Sequence, residues 1–314
     1  MAFGGGTGLP VLLRGLRRTA GDITAVVTVA DDGGSSGRLR EELGVSPPGD
    51  VRNCLVALAG RRRLADVFEH RFGGGTELRD HSVGNLIIAA LAEMSGGFCE
   101  GVEQAGRFLR ITGRVLPAAT ESLTLLVRYT DGSTSRGEST VRDRGRAVHA
   151  VTVEPSGIPA PDAVIDAIRG ADVVVLSSGS LFTSTIAALL GGGVREALAD
   201  FGGPVVYVSN LMTQPGETEG FTVADHLQAI ARHVGPVVTD VLVDRTPLPD
   251  ALRRRYEREG AAPVPVDREA IAALGVRLHE LALHDESAAE QLRHDPARLA
   301  RAILTLVPTA DAVV

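Results

Sequence analysis

The sequence predicts an α/β protein, a doubly wound and mainly parallel sheet carrying a smaller β-rich insertion. Three observations predict it. Short β-branched apolar runs recur at strand length, as in Ile23–Val29, 172–176 and 204–208. They are apolar along nearly their whole length, the pattern of strands buried on both faces. Segments of helical period separate them, which implies parallel strands joined by crossover helices.

Taken in order, residues 9–18 read as a helix that opens just after a glycine-rich turn, with Pro10 suited to its first turn. Ile23–Val29 is a buried strand, and 31–37 is read as loop. Asp50, after Pro47-Pro48-Gly49, stands where it would cap the next helix. Residues 83–95 and 100–110 read as helices. From Leu123 the pattern changes to a hairpin, 123–129 and 133–141 around Asp131-Gly132, followed by a strand at 147–153. The chain is therefore read as one domain, 1–314, with an insertion at about 112–160. The α/β alternation then resumes: helix 162–168, strand 172–176, helix 183–190, strand 204–208, helix 223–233, strand 237–243 and a mostly helical tail.

Composition narrows the function. The formal charge of −7 argues against non-specific nucleic-acid binding. All 32 basic residues are arginine, which excludes Schiff-base chemistry, a lysine base and a lysine-bearing P-loop. Phosphate must be held by backbone N–H groups, hydroxyls, arginine or a metal. Two isolated cysteines, no signal-peptide pattern and no apolar run long enough to span a bilayer point to a cytoplasmic protein.

The chemistry collects where strands end, the place ligands occupy in open α/β sheets. Gly4-Gly5-Gly6-Thr7-Gly8 lets backbone approach a phosphate at a helix N-terminus, with Gly5, Gly6, Thr7 and Gly8 as contacts. Asp31 and Asp32 end the second strand, where an acidic residue holds a ribose in dinucleotide folds. The glycine spacing departs from G-x-G-x-x-G, so an NAD-dependent oxidoreductase is a weaker reading. Gly34, Ser35, Ser36 and Arg38 form a second anion nest. Asp31, Asp32 and Asp50 are alternatively ligands for Mg2+, with capping the plain role of Asp50. In Asp80-His81-Ser82-Val83-Gly84-Asn85, His81 is a general base or a structural cap, and Asn85 contacts a base or sugar. Gly179 and Ser180 open a further anion cradle. Asn210, Thr213, Gln214 and Glu217 lie in a loop longer than a plain connection needs.

Together, Gly4–Leu9, Ile23–Arg40 (ITAVVTVADDGGSSGRLR), Pro47–Leu55 (PPGDVRNCL), Gly84–Leu86, Gly179–Ser184 (GSLFTS) and Tyr207–Asp225 (YVSNLMTQPGETEGFTVAD) resemble the bacterial gluconeogenesis factor family, often called YvcK. That family is similar in turn to the 2-phospho-L-lactate transferases (CofD). The resemblance runs through nearly the whole chain. It implies a CofD-like, Rossmann-like fold and a cytoplasmic protein of carbon metabolism, cell shape and cell-wall precursor supply. It also implies a nucleotide-sugar ligand, UDP-N-acetylglucosamine. Asn53 falls in a matched block and joins the ligand-contact candidates.

The alternative it implies is a Mg2+-dependent transferase moving a phospho-organic acid from a nucleotide diphosphate to an acceptor hydroxyl. Two departures stand out. Only Met1-Ala2-Phe3 precede the glycines, which predicts either a misassigned start or a stunted first strand, and Ser177-Ser178-Gly179 replaces the family's G-P-G. Farther on, Tyr256 is able to stack on uracil and Arg293 to pair with a diphosphate, against plain roles in helix packing and a surface ion pair. A homo-oligomer is left open.

Overall fold

A computed structural model describes residues 1–73, 78, 81–142, 146–285 and 291–308. The elements are β1 (Ala2–Gly4), α1 (Gly8–Leu16), β2 (Thr24–Val27), α2 (Gly34–Leu43), α3 (Gly49–Leu58), α4 (Arg62–Glu69), α5 (Val83–Ser95), α6 (Phe98–Leu109) and β3 (Arg114–Pro117). Next come β4 (Thr124–Tyr129), β5 (Thr134–Arg136), β6 (Val148–Glu154), α7 (Asp162–Arg169), β7 (Val174–Leu176), α8 (Val194–Ala199), β8 (Val205–Val208) and α9 (Val223–Val234). The chain closes with β9 (Asp240–Asp244), α10 (Asp250–Arg258), α11 (Arg268–Ala273), β10 (Arg277–Leu281) and α12 (Pro296–Leu304).

Seven strands form one parallel sheet in the order β10-β9-β8-β7-β1-β2-β3. The chain runs outward from β1 through β2 to β3, then returns to β7 and runs outward the other way. The order therefore reverses between β1 and β7, and a crevice opens outside the carboxyl ends of these two strands. This is a Rossmann-like α/β fold. Although β1 has three residues, it is fully buried and pairs on both sides.

Period-2 alternation divides the core between the two faces. Phe3, Val26, Val174, Leu176 and Tyr207 pack on one face, and Ala2, Ala25, Val27, Val175 and Val206 on the other. Helices α1, α3 and α12 cover the second face; Gly15 of α1 lies so close to Pro296 that a Cβ there would collide with the Pro296 carbonyl. The first face carries a three-stranded antiparallel sheet, order β5-β4-β6. Its Val151 N–H donates to His233 Nε2 of α9.

Several sequence expectations are corrected. Residues 31–37 are not all loop, because α2 begins at Gly34. Gly37 lies where a Cβ would collide with the Asp32 carbonyl, so backbone packing overrides the poor helix propensity of Gly-Ser-Ser-Gly. Strand β3, inside the region read as inserted, is an edge strand of the main sheet; the antiparallel sheet spans Thr124–Glu154. The second hairpin strand ends at Arg136 and continues as a 3-10 turn, Glu138–Arg142. The helix expected over 183–190 begins at Leu181 as a π-helical turn, Leu181–Ile186, followed by a 3-10 turn, Ala187–Leu189.

The tail is not purely helical either. Strand β10 reads RLHEL, too polar to resemble a strand, yet buried Asp240 of β9 stitches it in place. Asp240 accepts from Arg277 Nε and Nη2 (2.9 and 2.7 Å) and bonds His279 Nε2 (2.7 Å). Burial alone would raise the Asp240 pKa, but these partners hold it down to about 2.

Candidate functional site at the topological switch point

The glycine turn and the Ser177–Ser180 loop close on each other at the β1/β7 reversal. A Cβ at Gly8 would stand 2.5 Å from the Ser178 carbonyl oxygen, and one at Gly179 only 3.1 Å from the Gly5 carbonyl oxygen. Gly6 has φ +58, a left-handed conformation that glycine adopts without strain. Helix α1 starts at Gly8, and its N-cap residue Thr7 makes no side-chain cap. Helix α2, after the neighbouring strand, starts at Gly34 with Gly33 as an equally bare N-cap. Two helix N-termini without side-chain caps thus flank one crevice, each presenting backbone N–H groups and a partial positive charge.

A third N-terminus there is already filled. The carboxylate of Glu217, buried from the 210–218 loop, accepts from Phe182 N (2.6 Å) and Thr183 N (3.3 Å). The cradle expected at Gly179–Ser184 is therefore corrected: Glu217 is its anion. Nearby, Ser180 Oγ donates to Gln214 Oε1 (2.8 Å), and Asn210 Nδ2 donates to the Gly179 carbonyl (2.8 Å). Thr213 is turned to Ala262, exchanging backbone and hydroxyl hydrogen bonds with it (2.7 and 2.9 Å). These residues brace the crevice wall.

Asp50 does not cap α3; Pro48 is that helix's N-cap residue. Its Oδ2 instead accepts from Gly6 N, 44 residues away, at 2.7 Å. One N–H of the glycine turn is therefore satisfied from within the protein. Burial, together with the Asp31 charge, pushes the Asp50 pKa up to about 6, against the lowering effect of the Gly6 N–H. Glu138 comes from the 3-10 turn that follows β5, and no sequence pattern singles it out. Burial first, then the Asp31 and Asp50 charges, push its pKa up to about 8, and a hydrogen bond with Thr183 partly offsets them. Such shifts mark groups able to exchange a proton near neutrality.

Asp31, Asp32 and Asp50, the residues expected as alternative Mg2+ ligands, each accept a backbone N–H. Asp31 Oδ1 accepts from Gly33 N (2.9 Å), Asp32 Oδ1 from Ser139 N (2.9 Å), and Asp50 Oδ2 from Gly6 N. Each carboxylate is anchored separately, and among the described residues no three His, Cys, Asp or Glu side chains gather around one point.

On the α2 side, His81 joins the network; Asp80 lies outside the described residues. Arg38 Nε–H donates to His81 Nε2 (3.0 Å), which places the ring proton on Nδ1, facing Ser35 Oγ (3.0 Å). Asn85 Nδ2 also donates to Ser35 Oγ (3.1 Å), and Arg52 Nη1 donates to Asn85 Oδ1 (3.0 Å). Donors run inward from both arginines and converge on Ser35 Oγ, whose own hydrogen is left to donate. Ser36 Oγ accepts from Gly49 N (3.1 Å), and Asn53 Oδ1 accepts from Arg52 Nη2 (2.6 Å). Arg52 and Ser82 are structural members of this network that the sequence did not single out.

Tyr256 and Arg293 stand beyond β8. Tyr256 Oη accepts from Leu292 N (3.0 Å), while exposed Arg293 bonds Gln291. Among the described residues larger cavities lie away from the carboxyl edge, including one of about 590 Å3 against β4, β5 and β6. Another of about 480 Å3 is between α6, β3 and the start of α7, and one of about 350 Å3 lies at the amino ends of β1, β2 and β7.

The fold and this crevice define a Rossmann-like α/β protein whose polar groups collect at the topological switch point. Comparison with known proteins then gives the family. The model of the 2-phospho-L-lactate transferase CofD family matches residues 1–283, and the chain belongs to that family, among relatives named gluconeogenesis factor. The gluconeogenesis factor of Halalkalibacterium halodurans is 44% identical over 97% of this chain and 95% of its own length. That of Bacillus subtilis is 43% identical over 97% and 96%. A solved UPF0052-family structure from Bacillus halodurans superposes with a TM-score of 0.93 at 44% identity, covering 96% of this chain and 98% of its own. No helix among the described residues is long and apolar enough to cross a membrane.

Proposed function

We propose that this protein is a nucleotide-sugar-binding regulator of the gluconeogenesis factor type. Its ligand is UDP-N-acetylglucosamine, and its role lies in carbon metabolism and in cell-wall precursor supply and cell shape during gluconeogenic growth. The observation that carries the reading is the pair of α1 and α2 N-termini without side-chain caps, flanking one crevice in a chain of this family. A diphosphate there would meet the backbone of Gly5–Gly8 and Gly34–Ser36, the Ser35 hydroxyl and Arg38, with no lysine required. The nucleoside would extend across β7 and β8 toward Tyr256. Calorimetric titration with UDP-N-acetylglucosamine tests this: the expected result is saturable heat with one site. No heat, and no thermal shift at millimolar ligand, would sink the proposal.

Glu138 favours a second reading, transfer of a phospho-organic acid from a nucleotide diphosphate to an acceptor hydroxyl. A carboxylate with a pKa of about 8 at the crevice is suited to take the proton of that hydroxyl as its oxygen bonds to phosphorus and the nucleotide leaves. Incubation with a deazaflavin acceptor, nucleotide donor and Mg2+, followed by mass spectrometry, decides it; absence of product refutes it.

A further inference from the structure

A second polar pocket lies two strands from the glycine turn's neighbour β7, at the carboxyl ends of β8 and β9. It is a cavity of about 80 Å3 lined by Asn210, Met212, Asp244, Thr246, His284 and Leu292, among others. At its wall is a nearly buried carboxylate–imidazole pair. His284 Nδ1 and Asp244 Oδ2 are 2.7 Å apart. Asp244 Oδ1 accepts from Leu283 N (2.6 Å), His284 N (3.2 Å) and Thr246 Oγ1 (2.9 Å).

Burial would raise the Asp244 pKa, but these donors hold it below the usual carboxylate range. An ionised carboxylate only accepts, so the proton between the pair belongs to His284 Nδ1. The contact fixes the ring's orientation and places the proton of the neutral form on Nδ1, so that form presents its lone pair at Nε2. That atom has no hydrogen-bond partner among the described residues.

The pocket is tied to the glycine turn. His284 and His294 are bridge partners on two short antiparallel segments. Asp285 N bonds the Arg293 carbonyl and Asp295 N the Leu283 carbonyl, so the histidines occupy the narrow, non-hydrogen-bonded position and their rings share a face. His294 Nδ1 meets Ser178 Oγ at 3.2 Å, and the Ser178 carbonyl packs on Gly8. From β1 to β9 is three strand spacings, about 14 Å, a distance suited to an extended nucleotide with its diphosphate at the turn. Tyr256, hydrogen-bonded to the pocket-lining Leu292, flanks the far end.

The geometry points to His284, oriented by Asp244, as a specificity-determining residue that accepts the imide N–H of a uracil-type base. This rests on the nucleotide-sugar reading and names the residue that chooses its base. The cavity admits the edge of one ring, with the rest of the nucleotide lying along the strand ends. A fixed lone pair rewards uracil, which presents N3–H, and rejects cytosine, which presents its own lone pair at N3. Unpaired or opposed polar groups in such a setting separate otherwise similar ligands strongly.

Calorimetry with UDP, CDP and UDP-N-acetylglucosamine on the wild type, His284→Ala and Asp244→Asn tests it. The wild type is expected to bind UDP at least about tenfold more tightly than CDP. His284→Ala is expected to lose most of that preference, and Asp244→Asn part of it. In 15N-histidine-labelled wild type, which needs no variant to fold, UDP should shift the His284 Nε2 resonance and inorganic phosphate should not. Equal affinity for UDP and CDP, a preference retained in His284→Ala, or an unmoved Nε2 signal with UDP bound overturns this inference while leaving the nucleotide-sugar reading intact. Failure of all three nucleotides to bind the wild type overturns both.

Discussion

Replacing Asp50 by asparagine should stabilise the protein at alkaline pH. The carboxylate sits at the crevice with its Oδ2 on Gly6 N, and its pKa is raised to about 6 from 3.8. A raised carboxyl pKa means that the folded state holds a proton which the unfolded chain releases. Stability is therefore highest below about pH 4 and falls as pH rises through about 6. At 1.36 kcal/mol per unit, two units correspond to about 3 kcal/mol. Partial exposure and coupling to Glu138 reduce this to about 1–2 kcal/mol. Asparagine keeps an oxygen for the Gly6 N–H and carries no charge. Its loss also relieves Glu138, whose raised pKa has Asp50 among its causes.

The expected outcome is that Asp50→Asn melts several degrees above wild type at pH 8, matches it near pH 4, and loses the decline between pH 4 and 6. Thermal and urea denaturation across pH 4–8 measure this. A variant less stable than wild type at pH 8, or one with the same pH slope, refutes the reasoning. The Asp50 charge also repels a phosphate at the same turn, so UDP-N-acetylglucosamine should bind the uncharged variant more tightly at pH 8.

Other substitutions probe the remaining contacts. Gly8→Ala would place a Cβ against the backbone of Ser178 and Gly179; it should cost about 1–3 kcal/mol and weaken nucleotide-sugar binding in calorimetry. Glu217→Ala should cost about 2 kcal/mol in urea denaturation by stripping two buried N–H groups of their acceptor, with Glu217→Gln milder. Asp240→Ala should cost about 3 kcal/mol and release β10, read as lost amide-exchange protection at Arg277–Leu281. Because the Asp240 pKa is depressed to about 2, the stability it supplies is complete above about pH 4 and fades only as pH falls toward 2.

The strands with β-branched cores were legible because burial on both faces leaves a continuous apolar run, as at Thr24–Val27 and Val205–Val208. Strand β10 was not, because its pairing depends on Asp240, 37 residues before Arg277. The glycine turn and the serine-rich nest were legible as backbone that can approach a ligand. Their occupancy was not, since caps chosen across 35 or 44 residues leave no local pattern. Glu138 sits on an unremarkable 3-10 turn, and only the burial of that turn, close to Asp31 and Asp50, perturbs it.

The distribution of internal anions divides the crevice into two unlike halves. Three helical N-termini open along the β2, β1 and β7 strand ends. The protein fills one with Glu217, inside the core, where no ligand is needed. At the glycine turn Asp50 takes a single N–H and carries a pKa near 6, so it is held weakly as an anion and is the group a phosphate would displace or find protonated. At α2 the donor network from Arg38 and Arg52 converges on Ser35, leaving a hydroxyl that donates and backbone N–H groups without a side-chain cap. The turn therefore belongs with α2 as the half whose helix N-termini lack side-chain caps, and the 179–184 segment belongs with the fixed wall.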